Sequence, residues 1–360
     1  MPGPIPPVLR LALLASAVVG IAWAAAPVAA GWRDVLDTPA LKSPLAPRVL
    51  VNGLALAGDR LVAVGQRGHI LLSDDQGRSW QQTAVPASAD LVAVSFPTAT
   101  QGWAVGHDGI VLRSTDAGAS WARVLDGRSA GTLMLDFYKR QAASAADTKR
   151  AEALVTEAER FAAQGTENPF LDVAFEDAEN GWIVGAFGLI FRTTDGGATW
   201  QPWLHAADNP KALHLYTVRQ VGGELYIAGE QGLLMKLDRT SGRLRAVELP
   251  YKGTLFGISG GTRSVVVHGL RGTVLRSADG GSSWQVVNSG LQVGLTASSA
   301  ANGRIVIVSQ AGHVLVSRDD GLSFALAPTD KPVPAAAVGF AGKNTLVVAG
   351  PRGIATQPLN

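Results

Sequence analysis

The 360-residue chain contains no cysteine. Without a thiol, the sequence excludes disulfide bonds, thiol catalysis, cysteine-bound zinc and a lipidated N-terminal cysteine. Charged residues are also scarce, at 17%, and 31 basic side chains nearly balance 29 acidic ones. A nucleic-acid-binding protein needs a concentrated basic surface, so that class is not expected. Hydrophobic residues make up 47% of the chain, which is enough for a large core.

The first thirty residues have the pattern of an export signal. Arg10 and the amino group form a positive n-region, and Leu11–Ala26 is an unbroken apolar run. Small residues at Val28–Ala30 precede Gly31, as signal peptidase requires. The apolar run is shorter than the roughly 20 residues that span a bilayer as a helix. We therefore predict a signal peptide over residues 1–30 and an exported protein in a periplasm or lumen-like compartment, with an uncleaved anchor as the alternative.

One motif is repeated along the rest of the chain. The pattern Ser/Thr-x-Asp-x-Gly-x-Ser/Thr-Trp, called an Asp box below, occurs at Ser73–Trp80, Ser114–Trp121, Thr193–Trp200 and Ser277–Trp284, and at Ser317–Phe324 with a final Phe. The carboxylate can accept hydrogen bonds from the backbone of a turn, and the aromatic residue can begin an outer strand. We assign this structural role to Asp75, Trp80, Asp116, Trp121, Asp195, Trp200, Asp279, Trp284, Asp319 and Phe324. Lys236–Gly242 is a decayed copy that keeps Asp238.

A second signature, Gly-x-x-Gly after a β-rich stretch, is repeated with the boxes. Its copies begin at Gly65, Gly106, Gly185, Gly229, Gly269 and Gly350, and Ser309 replaces the first glycine of one more copy. Successive copies are 41, 79, 44, 40, 40 and 41 residues apart, so one interval is about one repeat too long. Seven units of about forty residues predict an all-β fold, a seven-bladed β-propeller with four-stranded blades, over residues 31–360.

The last repeat has only three predicted strands, near residues 335–339, 345–348 and 354–357. The N-terminal segment Trp32–Asp37 is similar to Trp121–Asp126, which we assign to the outer strand of the second repeat. We therefore predict that this segment forms the fourth strand of the seventh blade and closes the ring, because closure leaves no unpaired blade.

The long interval predicts an insert from about Gly127 to Pro169, between blades two and three. Five apolar residues in it have helical spacing, namely Ala151, Leu154, Val155, Ala158 and Phe161. We expect a helix or a helical hairpin that leaves from a connector between blades. A surface insert without a binding role and an insert that contacts a partner are both compatible with this pattern.

The Asp boxes, together with strand turns such as Val64–Ile70 and Val105–Ile110, resemble the photosystem II stability/assembly factor family. The resemblance covers nearly all of residues 31–360 except the insert. It implies a lumenal, non-enzymatic propeller with BNR-like repeats that holds newly made membrane-protein subunits during assembly. The insert and the decayed fourth box depart from the photosynthetic pattern, and relatives also occur in bacteria that do not photosynthesise. The resemblance therefore does not identify the client protein.

Asp boxes also occur in sialidases, which makes an Asp-box glycoside hydrolase the alternative. Sialidase chemistry requires three arginines around a carboxylate, a tyrosine nucleophile with an acidic partner and a separate aspartic acid. The family's Arg-Ile-Pro signature is absent, since Pro47–Val49 has the wrong order. Tyr138 lies in the insert, and Tyr216, Tyr226 and Tyr251 have no acid–arginine pattern around them. We therefore predict that the chain is not an enzyme.

Metal and cofactor sites are not expected either. His69 and His313 occupy equivalent repeat positions, and His205 and His214 lack the spacing of metal ligands. The paired aspartates of two Asp boxes have no further carboxylates around them that could complete a calcium site. The Gly-x-x-Gly segment is a strand turn rather than a phosphate loop, which needs a following helix.

The Gly-x-x-Gly turns and the connectors between blades should share one face of the ring, with the Asp boxes on the other. Our candidate partner-binding face consists of Arg67, His107, Asp108, Phe187, Glu230, Arg271, Gln310 and Arg352. Arg67, Arg271 and Arg352 hold the same repeat position and would suit an acidic or carboxylate-bearing segment of a protein client. We expect the ring to be a monomer. Ordinary solvated turns, and a structural ring with no partner of its own, are the simpler interpretations.

Overall fold

The computed structural model describes residue 3 and residues 33–261, 263–329 and 332–359. Residues from Asp34 onward form one compact unit. In this unit, short antiparallel sheets follow one another along the chain, and the strands of each sheet pair in chain order. Apart from residue 3, the predicted signal peptide lies outside the described residues, as does Trp32.

Each sheet is one blade of a propeller. Blade one contains β1 (Val51–Ala57), β2 (Arg60–Gly65), β3 (Ile70–Ser73) and β4 (Gln81–Gln82). Blade two contains β5 (Leu91–Ser95), β6 (Gly102–Gly106), β7 (Val111–Ser114) and β8 (Ala122–Leu125). Blade three contains β9 (Phe170–Phe175), β10 (Gly181–Gly185), β11 (Ile190–Thr193) and β12 (Gln201–Pro202). Blades four and five are formed by β13 (Leu215–Val221), β14 (Glu224–Gly229), β15 (Leu234–Asp238) and β16 (Arg243–Val247); and β17 (Leu255–Gly260), β18 (Val265–Gly269), β19 (Val274–Ser277) and β20 (Gln285–Val287). Blade six contains β21 (Leu295–Ala301), β22 (Arg304–Ser309), β23 (Val314–Ser317) and β24 (Ala325–Leu326), and blade seven contains β25 (Ala337–Phe340), β26 (Thr345–Gly350) and β27 (Gly353–Pro358).

The first strands of the blades stand side by side around a central channel. Each lies next to the first strand of the following blade, and β25 lies next to β1, so the seven-bladed ring is closed. The second strands are buried on both faces because each blade packs between two neighbours. In β6, for example, Trp103 is fully buried and its ring stacks on Phe175 of the next blade at a centroid distance of 3.7 Å.

The prediction that the N-terminal segment forms the fourth strand of blade seven is wrong for the described residues. Residues Val35–Asp37 form a 3₁₀ turn, and Leu36 is buried between blades one and two. The carboxylate of Asp34 lies 2.7 Å from Arg128 at the start of the insert. Within the described part of the chain, the seventh sheet therefore has three strands. The local similarity of residues 32–37 to an outer strand was overridden by burial of Leu36 and by these ionic contacts.

The N-terminal segment nevertheless takes part in ring closure, at Ala46–Arg48. A Cβ atom on Gly68, the second glycine of the first Gly-x-x-Gly turn, would lie 2.2 Å from the carbonyl oxygen of Ala87 in the connector that follows that blade. In blade seven, a Cβ atom on Gly353 would lie 2.2 Å from the carbonyl oxygen of Pro47. Residues 46–48 thus occupy the place of the connector after blade seven, and they lead directly into β1.

The insert is a helical hairpin of α1 (Gly127–Ala142) and α2 (Thr148–Gln164). Asp126 caps α1, since its carboxylate accepts a hydrogen bond from the backbone N–H of Ser129 at 3.1 Å. Met134 and Phe161 are buried in the same cluster as Phe170 of blade three, so the hairpin is packed onto the ring. No helix in the described part of the chain is long and apolar enough to cross a membrane.

The Asp boxes form turns between the third and fourth strands, and the five boxes share the hydrogen bonds around the Asp carboxylate. In the first box, Asp75 Oδ1 accepts hydrogen bonds from the Ser73 hydroxyl at 2.8 Å and from the Ser79 backbone N–H at 2.9 Å. The Ser79 hydroxyl donates to Oδ2 at 2.6 Å. The indole N–H of Trp80 donates to the carbonyl of Gly77 at 3.1 Å. The decayed box keeps part of this arrangement, because the backbone N–H of Thr240 donates to Asp238 at 3.0 Å.

We expect Gly68→Ala to destabilise the ring by about 1–3 kcal/mol, because it combines a positive φ with a clash against backbone. Gly242→Ala is the matched control, since Gly242 also has a positive φ but has no atom within 4 Å of the new Cβ position. Denaturant unfolding of both variants measures the difference. Equal decreases in the free energy of unfolding would show that backbone strain alone, and not the contact with the connector, causes the destabilisation.

The boxes also predict a pH dependence of stability. Hydrogen bonds from the Ser79 hydroxyl and backbone N–H lower the pKa of Asp75 from 3.8 to about 2, and Ser283 and Ser323 do the same for Asp279 and Asp319. Because the folded-state pKa values lie below the unfolded value, this stabilisation is complete above 3.8 and is lost as the pH falls towards 2.

Replacing Asp75, Asp279 and Asp319 by Asn should therefore lower the free energy of unfolding at pH 7 and flatten its decline between about pH 4 and pH 2. Asp59→Asn is the control, because this exposed carboxylate makes no hydrogen bond within the described residues. Unfolding curves across this range test the prediction. A decline as steep as in the unchanged protein would contradict it.

Candidate functional site

Five of the Gly-x-x-Gly segments form the same 3₁₀ turn on one face of the ring, called the turn face below. The central residue of each turn has a positive φ, at Arg67, Asp108, Phe187, Gln231 and Arg271. In blade seven the turn is shorter, because Gly350 pairs directly with Gly353. The insert begins on this face, since the backbone of Gly127 touches Gly109 of the second turn. The turns and the insert therefore share one side of the propeller.

The mouth of the channel opens in the middle of the turn face as a cavity of about 620 Å³. Of the predicted residues, His107 and Gln310 line this mouth. The exposed side chains of Arg67, Arg271 and Arg352 stand on turns of blades one, five and seven, outside the lining of the mouth. Two predicted residues thus line the mouth. The three exposed arginines outside it are called the rim below.

Two of the remaining predicted residues, Glu230 and Asp108, are constrained by their surroundings. The Glu230 carboxylate accepts a hydrogen bond from the backbone N–H of His214 at 2.9 Å. Burial, with a further contribution from the charge of Asp34, raises the pKa of Asp108. Asp108 is half-buried close to the insert, so it is less available to a partner than an exposed turn residue.

An ion pair lies in the wall of the channel. Asp172 of β9 is buried, and its carboxylate pairs with the guanidinium of Arg219 from β13. The same carboxylate accepts hydrogen bonds from the backbone N–H groups of Val173 at 2.9 Å and Val218 at 2.8 Å. The Arg219 side chain is 44% exposed, so its guanidinium is fixed by a buried anion and still faces the channel.

A row of aromatic rings leads from the insert to the mouth of the channel. Phe187 lies 4.7 Å from His214, His214 lies 6.4 Å from Tyr216, and Tyr216 lies 5.5 Å from Phe256 between ring centroids. The backbone N–H of Phe187 donates to Nδ1 of His214 at 2.8 Å, which fixes the outer end of the row. Tyr216 and Phe256 line the mouth itself.

The insert touches the outer end of this row. The guanidinium carbon of Arg160 in α2 lies 5.2 Å from the ring centroid of Phe187 and 4.2 Å from that of Phe161. Arg160 also forms an ion pair with Glu157. A cation between two rings holds α2 against the turn of blade three, so the insert extends the turn face outward.

The tyrosines do not form the arrangement of a sialidase nucleophile. Tyr138 and Tyr226 are buried, and their hydroxyl groups contact His205 and the carbonyl of Gly280. Burial raises the pKa of Tyr226 to about 12. Burial, followed by the charge of Glu230, also raises the pKa of Tyr216. A nucleophilic tyrosine needs activation in the opposite direction.

The described residues contain no group of three or more His, Cys, Asp or Glu side chains that could hold a metal ion. His268, for example, is fully buried in the ring. Burial lowers the pKa of His268 to about 4, and its Nδ1 lies 3.1 Å from the carbonyl of Leu295.

Comparison with known proteins identifies the family. A family model described as photosynthesis system II assembly factor YCF48 matches residues 57–136 and 151–285, which is more than half of the chain. The chain belongs to this family. The residues between the two matched stretches lie in the helical insert.

Members of the YCF48 family with curated names match parts of the chain. Photosystem II assembly lipoprotein Ycf48 of Synechococcus sp. (strain CC9902) is 31% identical over 164 residues, which is 43% of this chain and 47% of the relative. Photosystem II stability/assembly factor HCF136, chloroplastic, of Oryza sativa subsp. japonica is 37% identical over 67 residues, or 18% of this chain and 16% of the relative. The chain matches about half or less of the length of these relatives.

Solved propellers agree with the fold over almost the whole chain. A structure described as YCF48 bound to D1 peptide has a TM-score of 0.63 at 16% identity and covers 90% of this chain and 96% of that one. YCF48 from Cyanidioschyzon merolae has a TM-score of 0.62 at 16% identity, covering 89% and 98%. Streptogramin B lyase has a TM-score of 0.65 at 13% identity, covering 90% and 97%. At these identities the likeness concerns the fold alone.

Sequence reasoning missed four groups that line the mouth, namely Asp172, Tyr216, Arg219 and Phe256. A signal was available for two of them. Tyr216 and Phe256 lie forty residues apart, at the same position of successive repeats, near the start of the first strand. Aligning the repeats on this position would have placed both rings at the channel, because first strands line the centre of a propeller.

The ion pair predicts an asymmetry between its two members. We expect Asp172→Ala to cost about 3 kcal/mol or more, because two backbone N–H groups and a guanidinium lose their acceptor. Arg219→Gln should cost less, since the carboxylate keeps the backbone N–H groups of Val173 and Val218 as hydrogen-bond donors. Denaturant unfolding of both variants measures this. Similar losses at the two positions would contradict the burial argument.

Proposed function

We propose that this protein is an exported, non-enzymatic scaffold that holds an extended segment of a client protein on the turn face, over the mouth of the channel. Its role would be that of an assembly chaperone for membrane-protein complexes. The observation that carries the proposal is the aromatic row beside Arg219 at the mouth, rimmed by Arg67, Arg271 and Arg352.

The chemistry of the turn face suits a peptide with both apolar and acidic groups. The rings of Tyr216 and Phe256 offer apolar surface at low entropic cost, because each side chain has only two rotatable bonds. Arg219 offers a guanidinium whose orientation is fixed by Asp172, and a fixed fork binds carboxylates better than a mobile one. The rim arginines would attract an acidic segment before it docks.

The insert supports a second contact for the same client. It starts beside the second turn and touches the third turn through Arg160 and Phe187, so a segment on the aromatic row would also meet α2. This arrangement favours a role of the insert in partner contact over an insert without a binding role.

The names of the relatives support the class of client. One relative is a chloroplastic photosystem II stability/assembly factor, others are photosystem II assembly lipoproteins, and one solved YCF48 carries a D1 peptide. By analogy, we infer that this chain takes a segment of a membrane protein on the outer side of a membrane. The apolar run after Arg10 supports export to that side.

The non-enzymatic interpretation is supported by the tyrosines, whose pKa values are raised at positions 138, 216 and 226. A glycoside hydrolase of the sialidase type would need an activated tyrosine in an open cleft. We therefore keep the glycoside hydrolase only as an outcome that turnover of a fluorogenic sialoside would reveal.

Charge reversal of Arg67, Arg271 and Arg352 together should abolish capture of the client from detergent-solubilised membranes of the source organism. The reason is that the rim would then repel an acidic segment. The three side chains are exposed, so the free energy of unfolding should change by less than about 0.5 kcal/mol per position.

The matched control reverses Arg78, Arg245 and Arg263, which are exposed arginines outside the turn face, and therefore makes the same change in net charge. Quantitative mass spectrometry of the captured proteins compares the two variants with the unchanged protein. If the rim variant retains the same proteins as the control, the assignment of the rim is wrong.

A further inference from the structure

The outer edge of blade seven is open in the described part of the chain. In the other six blades a fourth strand pairs with the third, whereas β27 has no such neighbour among the residues that the structure describes. Residues 33–45 do not fill the place, because the backbone N–H of Ala40 bonds to Val85 at 3.0 Å and that of Ser43 bonds to the Gln82 side chain at 2.8 Å. Both contacts hold this segment on blade one.

The register of β27 shows which backbone groups are left over. The N–H of Leu359 donates to the carbonyl of Asn344 at 2.9 Å. Because paired residues in an antiparallel ladder alternate in bonding, Ala355 and Gln357 bond to β26, and Ile354 and Thr356 face away from it. The strand therefore presents the N–H and C=O groups of two residues along its outer edge.

Other blades show what normally meets these groups. The carbonyl of Ile70, the counterpart of Ile354 in blade one, accepts a hydrogen bond from Thr83 at 3.0 Å, just after the outer strand. Ile190 accepts from Trp203 at 2.9 Å and Val314 from Ala327 at 2.8 Å in the same way. An extended segment antiparallel to β27 would restore the arrangement of the other blades.

A groove of about 990 Å³ lies beside this edge, between blades six and seven. Its lining is uncharged except for Arg318 and Asp319 at the Asp-box end. Leu326 lines the groove and is 57% exposed. The strand Gly353–Pro358 also has no charged residue, although charges are the usual protection of an exposed edge.

We propose that the edge of blade seven accepts an uncharged, extended segment of a partner protein as a fourth strand, antiparallel to β27. The backbone of the edge would supply the affinity, and the neutral groove would select apolar or small side chains on the buried side of the added strand. This surface lies at the outer edge of blade seven, away from the channel mouth, so the proposal does not depend on the proposed function.

A peptide copied from an existing outer strand provides the probe. The segment Trp284–Ser289 (Trp-Gln-Val-Val-Asn-Ser) is uncharged and contains β20. With the acetylated and amidated peptide at about 1 mM, hydrogen exchange of the Ile354 and Thr356 amides should slow by about tenfold or more. The amides of Ala355 and Gln357 should not change, because they already bond to β26. A peptide with proline in place of the Val287 equivalent should have little effect, since it lacks the donor for Ile354.

Two leucines of blade six provide matched variants. Leu326→Lys places a charge in the groove and should weaken peptide binding by about tenfold or more. Leu322→Lys changes a leucine of similar exposure, 61%, that lies outside the groove, and it should bind like the unchanged protein. Thr356→Pro removes only an outward N–H and should likewise weaken binding.

Three results would overturn the proposal. Unchanged exchange at saturating peptide would show that the edge does not accept a strand. Protection of Ile354 and Thr356 in the free protein that rises with protein concentration would assign the edge to a second copy of the chain. Protection that is independent of concentration would assign it to another segment of the same chain.

Discussion

The ring depends on the contact between its last and first blades. Each blade packs its buried second strand between two neighbours, so a gap at one position would expose apolar strands on both sides of it. Residues Ala46–Arg48 prevent this, because they pass over Gly353 at the place where a connector crosses every other blade, and then enter β1. The same segment continues backward over blade one to the start of the insert, where Asp34 pairs with Arg128.

This mode of closure affects the outer edge of blade seven but not the turn face. Within the described residues, the N-terminal segment takes the connector position without the outer strand, so the ring is complete at its centre and blade seven has an open outer edge. The channel mouth is unaffected, because it is built from first strands and turns. The proposed partner contacts on the turn face and the proposed strand addition at the outer edge of blade seven therefore use separate parts of the ring and can be tested separately.

Much of the fold could be predicted from repeated short motifs. Seven units, the Asp-box turns and the insert follow from residues that are spaced about forty apart, because such motifs act locally and each blade repeats the same backbone. The three strands predicted for the last repeat lie within two residues of their observed bounds. The closing strand was predicted wrongly, since residues 32–37 resemble an outer strand, whereas Leu36 is buried between blades one and two. Of the candidate site, only His107 and Gln310 line the mouth.

The sequence by itself determined the number of blades, the Asp-box hydrogen bonds and the position of the insert, because each of these rests on residues close together in the chain. The tertiary structure alone decided which residues meet at the channel and where the ring closes. Asp172 and Arg219 are separated by more than a full repeat, and Pro47 and Gly353 come from opposite ends of the chain. Such pairs are fixed by the curvature of the whole ring, which no single motif encodes.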